Sequence, residues 1–270
     1  MNNIIINPEY SKLIEEIKQL KESIANLYEE RDELIYHVCK NIETEYMSKV
    51  GILEYKLFEF QCKILRLKRK IELYQMKINR QEIPDEKEIE EKLAIEYTEY
   101  EEKIKKIYND IQDALNRKTG KILSEEDSKE LKRIYRKLIK KFHPDLSRED
   151  DDKNKKLLLQ VTYAYENGDL ETLKNLELLT EEIIEKEYDN IGEMKEAKQT
   201  KAKYEVLINK LLEEIKTIKE SYPYNKKEFI KSEVLIKKRK DELNSEIDNC
   251  KEVYSNLENI LNELKGEVNG

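Results

Sequence analysis

Apolar residues recur along most of this chain in steps of three and four. Leu13, Ile17, Leu20, Ile24, Leu27, Leu34 and Val38 form one seam, with the polar Arg31 filling a slot in it. Leu53, Leu57, Phe60, Ile64, Leu67, Ile71, Tyr74 and Ile78 form a second, displaced from the first by one residue. This spacing gathers apolar side chains on one helical stripe, and a heptad held over several turns signals a coiled coil. The displacement predicts a break or hinge near Asn41 to Thr44. At the start, Asn7 is placed to cap and Pro8 suits the first helical position.

Pro84 ends the second seam, and Asp85 with Glu88 gives a capping-box-like start to the next helix. That helix carries Ile89, Leu93, Tyr97, Tyr100, Ile104, Ile107, Ile111 and Leu115 and stops near Gly120. The short loop predicts an antiparallel return along the preceding helix. The C-terminal third repeats the style. Tyr204, Ile208, Leu211, Ile215 and Ile218 make one seam, and "SYPYN" at 221–225 is a turn. Leu243, Ile247, Cys250, Tyr254, Leu257, Leu261 and Leu264 make another, predicting a second helical hairpin.

Residues 122–176 differ in kind. Ser124 is placed to cap a helix running through Phe142, in which Leu131, Ile134, Leu138 and Phe142 form the buried face. A second amphipathic helix carries Leu157, Leu158, Val161, Ala164 and Tyr165. Two helices this short hide little surface by themselves, so the flanking helices are expected to brace them.

Composition sharpens the picture. Charged residues make up 41% of the 270, with six Gly, four Pro and no Trp, which favours long helices with narrow seams over a thick core. Tyrosine, at 17 residues against four Phe, suits seams half exposed to water. The net charge of −8 argues against nucleic acid as the main partner, because phosphate binding needs a basic face. Cys39, Cys62 and Cys250 have no metal-ligand spacing and are odd in number, as expected of reduced thiols. The N-terminal stretch lacks the basic flank and length of a signal peptide, and no apolar run suits a membrane span. The expectation is a cytoplasmic protein.

Against this background one stretch stands apart, "LKRIYRKLIKKFHPDLS" at 131–147. Lys132, Arg136 and Lys140 form one basic row at i+4, and Arg133, Lys137 and Lys141 a second beside it. Like charges at that spacing weaken an isolated helix, although solvated cationic faces are common in so charged a chain. Pro144 then disfavours helical geometry at His143, so the helix ends at Phe142 and Asp145 enters the loop. A histidine, a rigid turn and an acid thus sit at the end of a basic face, a surface suited to an acidic partner carrying an Arg for Asp145. Catalysis fits less well: His143 and Asp145 flank a proline and lack an evident nucleophile. A metal site would need further ligands, and the acidic run 149–152 offers only loop carboxylates.

Residues 131–145 resemble the second helix and His-Pro-Asp loop of a J domain, the module of the DnaJ family of co-chaperones. Leu158, Val161, Ala164 and Tyr165 fall where that family's third helix carries its apolar-x-x-Ala-Tyr pattern. The resemblance covers roughly 45 of the 270 residues. It implies that His143, Pro144 and Asp145 trigger ATP hydrolysis in a DnaK-type chaperone, with Lys132, Arg133, Tyr135, Arg136, Lys137, Lys140 and Lys141 on the binding face. It implies no enzyme activity in the chain itself and no cofactor. The chain departs from the family in lacking the Tyr-x-x-Leu-Gly first helix before Ser124, in carrying Leu146 and Ser147 after the tripeptide, and in having Gly168 where the third helix usually continues. The end of helix 86–118 would have to supply the missing helix's packing.

The expected fold is all-α, a small J-like hairpin flanked by long antiparallel coiled-coil helices. Its expected domains are an N-terminal coiled coil (1–120), the J-like segment (121–178) and a C-terminal hairpin (179–270). The expected function is that of a co-chaperone whose arms bind a client or scaffold or form a homodimer, without nucleic acid or membrane. The alternative is an adaptor that keeps a J-like fold as a packing device.

Overall fold

A computed structural model describes residues 8–117, 123–147, 152–181 and 194–269. The fold is all-α, and no strand occurs among these residues. In chain order the helices are α1 (Pro8–Glu33), α2 (Cys39–Tyr46), α3 (Ile52–Asn79), α4 (Glu86–Arg117), α5 (Glu125–Phe142), α6 (Asp152–Glu166), α7 (Leu170–Glu181), α8 (Met194–Glu220), α9 (Lys227–Lys231) and α10 (Glu233–Asn269). Pro8 opens α1 as expected, while its predicted cap, Asn7, lies outside the described residues.

No loop interrupts the chain near Asn41 to Thr44, where a break or hinge was expected and α2 runs through, but the boundary between two compact units falls there, between Lys40 and Asn41. The slip between seams falls where the π turn Met47–Gly51 sits inside continuous helix, and a second π turn, Leu34–Val38, lies at the end of the first seam. A π turn closes its hydrogen bonds over five residues instead of four, so each takes in an extra residue without a loop.

The described helices gather into two units, and these are not the three consecutive blocks that the seams suggested. Residues 1–40 and 121–225 make one unit, and 41–120 and 226–270 the other. In the second, α4 returns antiparallel along α3, with Tyr55 near the start of α3 against Tyr108 late in α4, ring centroids 5.8 Å apart, and Lys70 further along α3 paired to Glu86 at the start of α4 at 2.5 Å. Asp85 caps α4 by accepting from Lys87 N at 2.8 Å and Glu88 N at 3.4 Å, while the Glu88 side chain pairs with Lys77 at 3.1 Å and leaves the reciprocal half of the predicted capping box unmade. Helix α10 lies on α3, and Leu67, Ile71, Tyr74, Ile89, Leu93 and Leu261 share one core.

In the first unit, α1 packs along α8 and across α5. The two C-terminal helices therefore take different partners, α8 with α1 and α10 with α3, and the hairpin expected over 179–270 is not a single body. All the seams carry similar apolar side chains at similar spacing, so pattern alone does not say which meets which. Helix α5 matches its predicted bounds. Ser124 Oγ accepts from Asp127 N at 3.0 Å, and His143 turns out into extended backbone at φ −68°, ψ 129°. Leu131, Ile134, Leu138 and Phe142 are buried against Val161, Ala164 and Tyr165 of α6 and Leu173 of α7.

Gly168 decides the course beyond α6. Its φ of +65° lets the helix close in a Schellman turn, with Asp169 N donating to Ala164 O at 2.8 Å and Gly168 N to Tyr165 O at 3.1 Å. Asp169 then caps α7 through Thr172 N at 3.0 Å. The chain thereby doubles back onto α5 instead of continuing α6. Bracing of the α5–α6 pair comes from α1, α7 and α8 within this unit, whereas the sequence had pointed to the end of helix 86–118.

Candidate functional site

The end of α5 and the loop behind it form a polar cluster built largely by α1. Pro144 is exposed at the turn, while His143 is drawn inward, its side chain only 16% exposed. The His143 ring lies against that of Tyr28, with centroids 4.0 Å apart and planes tilted by 33°. His143 Nδ1 accepts from Asp145 N at 3.2 Å, which places the imidazole proton on Nε2 and keeps the ring neutral. Burial pushes its pKa down to about 4, the Arg31 and Lys203 charges add to that, and the Asp145 carboxylate opposes it. Asp145 in turn accepts from Tyr28 Oη at 2.8 Å and has Lys203 of α8 at 4.0 Å. Burial first, and then the Asp145 carboxylate, hold the Tyr28 phenol protonated far above its ordinary range.

Two turns back along α5, Tyr135 is fully buried. The resemblance places it on a partner-facing surface, but here its hydroxyl donates to Asp32 of α1 at 2.5 Å and its ring stacks on Tyr165 at 3.9 Å. Asp32 takes its second partner from Arg31, at 2.7 Å. Tyr165 faces Glu33 at 3.0 Å and Glu29 at 3.3 Å with its one hydroxyl proton. His37, the second of the chain's two histidines, meets Tyr165 edge-on at 5.2 Å and is also held below its ordinary pKa by burial.

The two basic rows are paired and do not stand free in solvent. In the first, Lys132 meets Glu33 at 2.9 Å, Arg136 meets Glu29 at 3.8 Å, and Lys140 meets Glu22, all from α1. In the second, Arg133 and Lys137 both reach Glu177 of α7, at 3.2 and 2.8 Å, and Lys141 Nζ sits 5.5 Å over the Phe142 ring. Glu29 is nearly buried under this arrangement, and burial raises its pKa although Lys132 and Arg136 pull the other way. The structure therefore brings His143, Asp145, Tyr135 and the first row together beneath α1, and holds Arg133 and Lys137 apart from them under α7.

Tyr28, Glu29, Asp32, Glu177 and Lys203 did not stand out in the sequence. Ala25, Tyr28 and Asp32 do form a second stripe on α1 at steps of three and four, but a stripe that ends in an acid reads as a solvated face. Cys39 and Cys62 are buried thiols, and no metal-binding group of three or more His, Cys, Asp or Glu occurs among the described residues. Nor, among those residues, is any helix long and apolar enough to cross a membrane.

No protein-family model, curated protein or solved structure matches this chain.

Proposed function

We propose that the α5–α6 pair is a J-like module through which this chain stimulates ATP hydrolysis by a DnaK-type chaperone in the cytoplasm, while its long helices bind a client or scaffold. What supports this reading above all is that α5 ends at Phe142 and the His143-Pro144-Asp145 turn follows at once, beside rows of cations and ahead of the Ala164-Tyr165 helix that packs back on it. In this reading the chain hydrolyses nothing itself. It binds the hydrolysis-competent state of the chaperone more tightly than the other state, and only that difference shifts the partner's equilibrium. The cations of α5 steer an acidic surface to the site, an effect that salt weakens.

The test is single-turnover ATP hydrolysis by a DnaK-type chaperone from the same source, with the wild-type chain and with His143→Gln, at two salt concentrations. Stimulation is expected from the wild type, to fall with salt and to vanish in the variant. No stimulation by the wild-type chain or by any variant with a loosened α1 would overturn the reading.

A second reading is favoured by one observation. Tyr28 and Asp32 of α1 occupy Asp145 and Tyr135, so the J-like pair already serves as a packing element. An adaptor of this kind would show a stability change in His143→Gln with no ATPase effect in any form of the chain.

A further inference from the structure

Helix α1 lays a row of carboxylates along α5. Glu22, Glu29 and Glu33, at steps of seven and four, meet Lys140, Arg136 and Lys132 in antiparallel order. Beside them Tyr28 covers His143 and takes Asp145, and Asp32 takes the Tyr135 hydroxyl. An acidic helix is thus seated on the basic face and loop that the proposed function assigns to the chaperone. Helix α8 is tied to α1 through Lys201 with Glu16 at 2.8 Å and Lys219 with Glu30 at 2.7 Å, and it adds Lys203 beside Asp145. Two ligands of one chemistry cannot occupy one face together.

We propose that α1, backed by α8, is an internal competitor for the basic face of α5 and for Asp145, so that the chaperone engages this chain only after α1 has left that face. The proposal rests on the co-chaperone reading. It also states the kind of surface the face fits: a row of carboxylates at steps of seven and four, with a hydrogen-bond donor reaching the loop. The contacts differ in strength in a way that suits displacement. Lys132, Arg136 and Lys140 keep about a third of their side-chain surface exposed, so their pairs are weak and screened by salt. The tyrosine hydrogen bonds to Asp145 and Asp32, together with Ile24 and Ala25 of α1 buried in the core they share with α5, are the firmer part that has to be given up. A face that is free only for a fraction of the time shows an affinity reduced by that fraction.

The experiment uses the full chain with Tyr28→Phe, which keeps the ring on His143 and removes its donor to Asp145, and with Glu22→Lys, which repels Lys140. Two quantities are read: the concentration giving half-maximal stimulation of a DnaK-type chaperone, and amide hydrogen exchange in α1 with and without saturating chaperone. Losing one hydrogen bond to a charged group is expected to lower the half-maximal concentration roughly tenfold in Tyr28→Phe. Exchange in residues 8–33 is expected to rise when the chaperone binds while α5 becomes protected. Unchanged half-points with α1 still protected in the complex would overturn the competition and leave the co-chaperone reading standing, provided His143→Gln abolishes stimulation. Absence of stimulation from every form, including those whose α1 exchange shows it loosened, would remove the co-chaperone reading and the competition with it.

Discussion

The phenol of Tyr28 lies 4.0 Å from the imidazole of His143, ring centre to ring centre, and its hydroxyl reaches past that ring to Asp145 at 2.8 Å. One side chain of α1 thereby fixes both ends of the His-Pro-Asp turn, 115 residues further along the chain. The contact needs a neutral, half-hidden imidazole, and that requirement has a measurable consequence.

His143 titrates near 4 in the fold and near 6.5 when free, because burial disfavours the imidazolium. Between those values the unfolded chain binds a proton that the folded chain refuses. Stability is therefore full above pH 6.5, falls as pH drops toward 4, and loses nothing further from this group below that. The loss is on the order of 3 kcal/mol for His143, and His37, lowered for the same reason, adds to it in the same direction. Urea unfolding at pH 7.5 and pH 4.5 checks this: the gap between the two should shrink in His143→Gln and shrink further with His37→Gln. An unchanged gap would mean the imidazoles are not buried in neutral form.

Tyr135→Phe keeps the stack on Tyr165 but strands the buried Asp32 carboxylate oxygen that accepted its hydroxyl. The expected cost is about 1–3 kcal/mol in urea unfolding. Tyr135→Ala, which also empties the space, should cost about 3–5 kcal/mol. A wild-type midpoint for Tyr135→Phe would contradict the Asp32 bond.

Gly168→Ala places a side chain at φ +65°, with the new Cβ 3.2 Å from Leu123 Cδ1. The left-handed backbone costs about 1–2 kcal/mol for a residue with a Cβ. Because this turn brings α7 back to α5, amide exchange should rise in α7 more than in α3 or α4.

In the other unit, Glu86 receives bonds from Lys265, Lys70 and Tyr74. Partial burial pushes its pKa up, but these bonds outweigh it and hold the carboxyl at about 2. A lowered carboxylate stabilises the fold above its free value near 4.5, and that contribution disappears as pH falls through 2. Amide protection in α3 and α4, taken relative to the intrinsic exchange rate at each pH, should drop over that interval in the wild type and lose this pH dependence in Glu86→Gln.

The features that could be read from residues alone are those set within a turn or two of helix. Ser124 caps α5 and Pro144 ends it at Phe142, because capping and the pre-proline restriction act between neighbours. The same holds for the Pro84 turn, the Asp85 cap and the all-α class. The buried face of α5 and the Ala164-Tyr165 face of α6 follow from a 3.6-residue period, which needs no knowledge of what covers them.

The tertiary structure decided the rest, for one physical reason. A pairing between residues more than a hundred positions apart depends on which of several similar amphipathic faces meet, and nothing in either local sequence encodes that choice. Glu29 and Asp32 look like solvated acids until Tyr165, Arg136 and Tyr135 are brought to them. Tyr135 and the first basic row look like an open surface until α1 lies across them. The π turns hide in the same way, since a one-residue slip in a seam reads equally as a hinge or as an extra residue held inside a helix. Sequence determined the helices and the chemistry at the end of α5; tertiary packing determined that α1 occupies it.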